Sequence, residues 1–278
     1  EQITVEELLK CVCVSSGNDA AVALAEKVAG VTELFVEQMN NRARGLGMDD
    51  THFVNPTGLT AEGHVTSAHD IALMSRELLT KHPDIRSFTT IWTDSIRGGT
   101  FDLANTNKLI RRYDGATGLK TGYTASAGYC ISATAEREGM ELIAVVMKGE
   151  TADKRNADAK ALLNYGFSAY ALVSAAPEEP LPALPVTMGE TDSVSLTLPP
   201  EALTAVVEKG QAAALERRID LPESLPAPVR QGQQVGTLTL CSGDTELMTV
   251  PILAAEDAAG RSWGRMFTDL LKMAVFAG

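Results

Sequence analysis

The chain has 278 residues, 45% of them hydrophobic, enough for a large core and more in keeping with two domains than one. Its formal net charge of −12 argues against nucleic-acid binding, because a phosphate backbone demands a basic surface. No uninterrupted apolar stretch of about 18 residues occurs, so no transmembrane span is predicted.

The chain opens on Glu1-Gln2-Ile3-Thr4, already inside a folded element and with no signal peptide in view, the pattern of a truncated start. Thr4 and Glu7 form a Thr-x-x-Glu capping box, with Ile3 placed to staple onto Leu8, and the first helix runs to about Val14. It breaks at Ser15-Ser16-Gly17. A second helix starts near Asn18-Asp19 and stops at Gly30. A third covers about 32–46. A turn-rich loop, residues 51–59, precedes a fourth helix with Thr66 and Ser67 as N-cap candidates and Asp70 in its first turn.

Strand character begins later. Residues 128–135 and 140–147 are apolar runs joined by Glu136-Arg137-Glu138-Gly139, a hairpin signal, and the preceding Lys120-Thr121-Gly122 segment is expected as a neighbouring edge strand facing a cleft. A helix over about 152–167 follows, with Ala157, Ala161, Leu162 and Tyr165 at helical spacing. Pro177, Pro180 and Pro182 mark a linker. Beyond it, Ser193 to Leu198 alternates as one strand, and 235–240 and 246–252 form a second hairpin around residues 241–245. In the tail, Trp263, Met266, Phe267, Leu270 and Ala274 share a face flanked by Arg261, Arg265 and Lys272. That pattern suits a membrane surface, and equally a helix docked on its own domain.

Cys11, Cys13, Cys130 and Cys241 form no Cys-x-x-Cys pair, and the four histidines lack ligand spacing, so neither a metal nor another cofactor is expected. Cys11 and Cys13 lie in an apolar run and read as buried free thiols.

Acyl transfer by a serine needs a base, an oxyanion hole and a proton path to the leaving amine. Alone, Ser16-Gly17-Asn18 is a turn, Asn18 a helix cap and Lys120-Thr121-Gly122 a piece of strand. Together they are more specific, since one sits at a helix corner and the other on a cleft-facing strand. Gly122, without a side chain, lets a substrate backbone lie close to that strand.

Ser16 to Ala20, the Asn-Pro-Thr-Gly-Leu loop at 55–59, and Gly-Leu-Lys-Thr-Gly-Tyr-Thr at 118–124 resemble the low-molecular-mass serine D-alanyl-D-alanine carboxypeptidases, a branch of the penicillin-binding proteins. The resemblance covers nearly the whole chain. It implies an α+β domain of helices packed on an antiparallel sheet over 1–174, an all-β domain over 175–259, and an amphipathic tail over 260–278. It implies an extracytoplasmic enzyme that trims the terminal D-alanine of peptidoglycan stem peptides and is acylated by β-lactams.

The same resemblance assigns roles. Ser16 relays a proton to the leaving amine or from the deacylating water. Asn18 contacts the substrate amide. Lys120 places positive charge beside Ser16. Thr121 and Arg155 hold the substrate carboxylate, the Tyr123 N–H is half of the oxyanion hole, and Gly17, Gly122 and Thr124 complete the substrate surface. The alternative for Arg155, beside Asp153, Lys154 and Asp158, is a place on a solvated helix face, and the carboxylate role is the expected one. The family's nucleophile lies in a Ser-x-x-Lys motif. No serine of these 278 residues has a lysine three positions on, and the chain begins only fifteen residues before Ser16. Three explanations arise, an incomplete sequence, an upstream segment carried on a separate chain and a non-catalytic relative, and the expectation is loss of the segment rather than a non-catalytic relative. A scaffold of the same fold, a β-lactamase, and a peripheral membrane protein acting through its tail are the alternatives.

Overall fold

A computed structural model describes residues 1–278 except 201–202, 213, 263, 265–266 and 268–278. The chain divides into two compact units, Glu1–Ser168 and one beginning at Ala169.

The first unit opens with helix α1, Val5–Lys10. Its capping box forms as expected: Glu7 N donates to Thr4 Oγ1 at 3.1 Å, and Thr4 N donates to Glu7 Oε2 at 3.0 Å. Ile3 packs on the cluster of Val14, Ile96 and Leu103. The helix then widens into one π-turn, Cys11–Ser15, a form that concentrates at functional sites. Helices α2 (Asn18–Ala29) and α3 (Thr32–Gly45) follow, with Gly30 at φ 84° ending α2 in a conformation that favours glycine. The loop after α3 is held by polar pairs: Asn40 bonds both ways with the Phe53 backbone at 2.8 Å, and buried Asp70 accepts from Asp50 N and Thr51 Oγ1. Asp70 sits in the first turn of α4 (Ala68–Lys81), where Ser67 caps it through Asp70 N.

A region with no strong periodicity follows: a 3₁₀ turn, Pro83–Ile85, α5 (Arg86–Thr89), a hairpin of β1 (Thr93–Ile96) and β2 (Phe101–Ala104), and α6 (Leu109–Arg112). Then comes an antiparallel sheet of β3 (Ala116–Thr124), β4 (Gly128–Arg137) and β5 (Met140–Gly149), in that order, covered by α7 (Ala152–Ala169). Register pairs Lys120 with Ser132, Thr121 with Ile131 and Gly122 with Cys130. Ile131, Ala133 and Ala135 pack with Ala159 and Leu163, so these strand residues face α7. Small residues bring helix and sheet close: a Cβ on Gly166 would lie 2.5 Å from Leu142. Ser132 faces the other way, hydrogen-bonded at 2.8 Å to Ser75 of α4, and Lys120 opposite it shares that face.

The second unit is mostly β. Strand β6 (Tyr170–Ser174) pairs with β10 (Thr204–Glu208), with β7 (Leu184–Thr187), β8 (Ser193–Val194) and β9 (Leu196–Thr197) between them in sequence. Helix α8 (Lys209–Ala212), β11 (Leu215–Asp220), β12 (Leu225–Pro226), β13 (Gln234–Ser242) and β14 (Thr245–Ala254) complete it. The sheets run β12-β7-β8 and β11-β13-β14-β9 around Val194, Leu238, Val250 and Ile252.

Three expectations need correction. The buried face of α7 is Arg155, Asn156, Ala159 and Leu163, whereas Leu162 and Tyr165 are exposed. The helix is turned by its buried polar pair, which outweighs the weak apolar spacing. Residues 193–198 form two strands, because Ser195 turns its N–H to Glu256 and its C=O to Ala255 N, and the chain switches sheets there. The cysteines are free, yet only Cys241 is fully buried; Cys11, Cys13 and Cys130 are partly exposed. Most of the amphipathic stretch expected over 260–278 lies outside the described residues.

Candidate active site

The π-turn delivers Ser16 in the left-handed region, at φ 62°, ψ 43°. Such a conformation is uncommon for a residue with a Cβ and costs about 1–3 kcal/mol where it is enforced. Enforcement comes from Cys11 O, which accepts both the Ser16 N–H and the Gly17 N–H, the latter at 3.0 Å. Gly17 is the N-cap of α2, and a Cβ there would crowd Asp19, Cys11 and Ala20 at 3.3–3.5 Å. Asn18 is therefore the first helical residue rather than the cap, and both Ser16 and Asn18 are exposed.

Strand β3 meets this corner. Lys120 Nζ donates to Ser16 Oγ at 2.8 Å and to the Thr121 carbonyl at 2.7 Å. Burial pushes the Lys120 ammonium down to about 8; the Arg155 charge adds to the shift and Cys13 opposes it. Thr121 Oγ1 donates to Thr106 Oγ1 at 2.7 Å, and Thr106 N donates to Val14 O at 3.0 Å. A short chain of bonds thus ties the π-turn to the strand. Beside Gly122 a Cβ would meet nothing within 4 Å, so the backbone there is open to a ligand. Tyr123 is exposed and its ring lies 4.4 Å from that of Tyr129. Thr124 Oγ1 accepts from Ala127 N at 3.0 Å and closes the turn into β4.

Arg155 is 4% exposed, so it is not part of a solvated helix face. It donates to Asn156 Oδ1 through Nε and Nη2 and, at 3.4 Å, to the carbonyl of Cys130, the residue opposite Gly122. Burial pushes its pKa down from the usual guanidinium value.

Sequence reasoning missed a third element, Asn105-Thr106-Asn107. Both asparagines are buried. Asn105 Nδ2 donates to the carbonyls of Thr89 and Ile91, and Asn105 Oδ1 accepts from Asn107 N. Asn107 Nδ2 donates to Gly118 O at 2.8 Å and its Oδ1 accepts from Leu109 N. This pair fixes the segment that presents Thr106 to Thr121. The available signal was two asparagines just before a short helical run, where Asn favours local backbone bonding.

The arrangement is an edge strand whose lysine touches a serine on a helix corner, with open space beside Gly122. Residues 1–151 match the D-alanyl-D-alanine carboxypeptidase family, and residues 177–259 match the C-terminal domain of penicillin-binding protein 5. The chain is 40% identical to D-alanyl-D-alanine carboxypeptidase DacF of Bacillus subtilis over 262 residues, 92% of this chain and 67% of that one. Penicillin-binding protein 5 from Haemophilus influenzae has a similar structure, with TM-score 0.77 and 28% identity over 93% of this chain and 76% of that one. Penicillin-binding protein D2 from Listeria monocytogenes, solved in an ampicillin-bound form, aligns with TM-score 0.56 and 38% identity over 59% of this chain and 68% of that one.

These matches define a penicillin-binding fold of the serine carboxypeptidase class. The chain belongs to the D-alanyl-D-alanine carboxypeptidase family, whose members are serine hydrolases. The matches support the carboxypeptidase reading over a scaffold or a β-lactamase.

Proposed function

We propose that this chain supplies the proton-relay and substrate-binding half of a serine D-Ala-D-Ala carboxypeptidase site, the acylating serine coming from a Ser-x-x-Lys segment. One observation carries the reading: the 2.8 Å bond from Lys120 Nζ to Ser16 Oγ, between residues 104 positions apart. Ser16 passes a proton to the leaving D-alanine amine and takes one from the deacylating water. Lys120, a cation desolvated beside it, stabilises the alkoxide character that Ser16 acquires as the proton leaves. Asn18, at the start of α2, binds the substrate amide.

The substrate strand lies along β3 beside Gly122, where the edge is open. Its terminal carboxylate takes the Thr121 hydroxyl hydrogen, which turns away from Thr106 Oγ1 while the Thr106 hydroxyl donates in return, with the buried Arg155 charge behind β4 supporting the carboxylate through the field rather than by contact. The Tyr123 N–H serves as one oxyanion donor. Gly17 and Thr124 hold the two turns that flank the cleft. We further infer a domain division at 1–174, 175–259 and 260–278, an extracytoplasmic location, and a tail that rests on membrane through Trp263, Phe267 and Leu270. These rest on the family membership and on the tail's amphipathic pattern. The test is a Lys120→Ala substitution in protein that carries the Ser-x-x-Lys segment, read by acylation with a fluorescent penicillin. A loss of acylation with folding intact supports the reading, and an unchanged rate removes it.

A further inference from the structure

We propose that a cavity between α6 and α7, on the α7 face of the sheet, binds a compact dianion, a phosphate or dicarboxylate group. Lys108, Leu109, Arg112, Asp153, Asn156 and Lys160 line a volume of about 180 Å³ together with Ala157. On α7 the contributing positions are i, i+3, i+4 and i+7, a single helix face. The floor is buried, with Leu109 at 2% and Asn156 at 8% exposure.

Three cations and one carboxylate leave the lining two charges positive, in a protein whose net charge is −12. Lys108, Arg112 and Lys160 make no ion pair or side-chain hydrogen bond among the described residues, whereas the neighbouring Lys154 pairs with Glu150. Like charges gathered around one concavity repel, and a bound anion relieves that repulsion. Asn156 supplies a directed donor. Arg155 holds its Oδ1 through Nε and Nη2, which fixes the amide so that Nδ2 points away. That Nδ2 makes no hydrogen bond among the described residues, and Asn156 belongs to the cavity lining. Two positive charges, an oriented amide and a small volume select a small dianion over a monoanion or an extended polymer. No residue assigned to acyl transfer lines the site.

The test is a titration of the ¹⁵N-labelled chain with inorganic phosphate and, separately, with succinate, at constant ionic strength against sodium chloride. Saturable shifts of the Lys108, Arg112, Asn156 and Lys160 amides are expected with at least one of the two, and the stronger titrant identifies the anion class. The triple variant Lys108→Gln/Arg112→Gln/Lys160→Gln is expected to bind about tenfold or more weakly, a change of about 1.4 kcal/mol. Ala157→Leu, which fills the cavity without changing charge, is expected to weaken binding similarly, so the outcome does not hang on one variant folding. No saturation with either anion, or equal binding by wild type and both variants, overturns the proposal.

Discussion

At Ser16 the backbone is held against its own preference, and the hydroxyl so presented meets Lys120 Nζ. Glycine adopts the left-handed region freely, so Ser16→Gly should be more stable than Ser16→Ala by about 1 kcal/mol, although both lose the hydroxyl. Equal stability of the two, by denaturant titration, would show that Cys11 O does not enforce the turn. Lys120 is the second pole. In protein that carries the Ser-x-x-Lys segment, Lys120→Ala should lower acylation about 10²-fold while shifting stability by about 1 kcal/mol or less, because it leaves no apolar cavity. The charge on Lys120 is lost as pH rises through about 8, so acylation should fall above that pH, and Lys120→Arg should abolish the alkaline limb. Stability follows the opposite course. The folded pKa lies below the unfolded 10.5, so the unfolded chain binds more protons between about 8 and 10.5, and this residue's contribution to stability improves as pH rises through that window. A stability profile unchanged by Lys120→Met would contradict the burial of its charge.

At the scale of elements, what was legible depended on how local the signal was. The capping box of α1, the glycine stop of α2, the Ser67 cap of α4 and both long hairpins were legible because each is written in a few adjacent residues. So was the meeting of Ser16 with Lys120, although only through the motif resemblance and not through any periodicity. The segment from α5 to α6 was not, because its order comes from side chains bonded to distant backbone. Asn105 reaches Thr89 and Ile91, and Asn107 reaches Gly118. The face of α7 was misread for a related reason: a buried arginine and asparagine override apolar spacing. Asn107→Ala should cost about 1–3 kcal/mol, since it leaves the Gly118 carbonyl and the Leu109 N–H unpaired in a buried place. It should also weaken β-lactam acylation, since Gly118 belongs to the strand that carries Lys120. Urea unfolding and acylation kinetics together check this, and a neutral effect on both would show that the segment is a passive connection.

At the scale of the whole molecule, the sequence carries an amphipathic pattern after the β unit. Removal of residues 263–278 leaves Arg261 on its bonds to Met188 and Gly189 and should reduce liposome co-sedimentation without unfolding the β unit. The binding that is lost should be salt-sensitive, because cations meet anionic lipid while the net charge of −12 opposes the approach. Equal sedimentation of the two forms at low salt would assign the tail a structural role. In the proposed function, Ser16, Asn18, Lys120 and Thr121 form the relay half of an acyl-transfer site completed by a Ser-x-x-Lys segment. The most direct measurement is covalent labelling by a fluorescent penicillin, mapped to the modified residue by mass spectrometry, on the 278-residue chain and on a protein that adds the family's Ser-x-x-Lys segment. No labelled serine is expected in the chain alone, and labelling at the Ser-x-x-Lys serine with D-alanine release is expected in the extended protein. A labelled serine within the 278 residues, or an extended protein that folds yet takes no β-lactam, would contradict the proposed function.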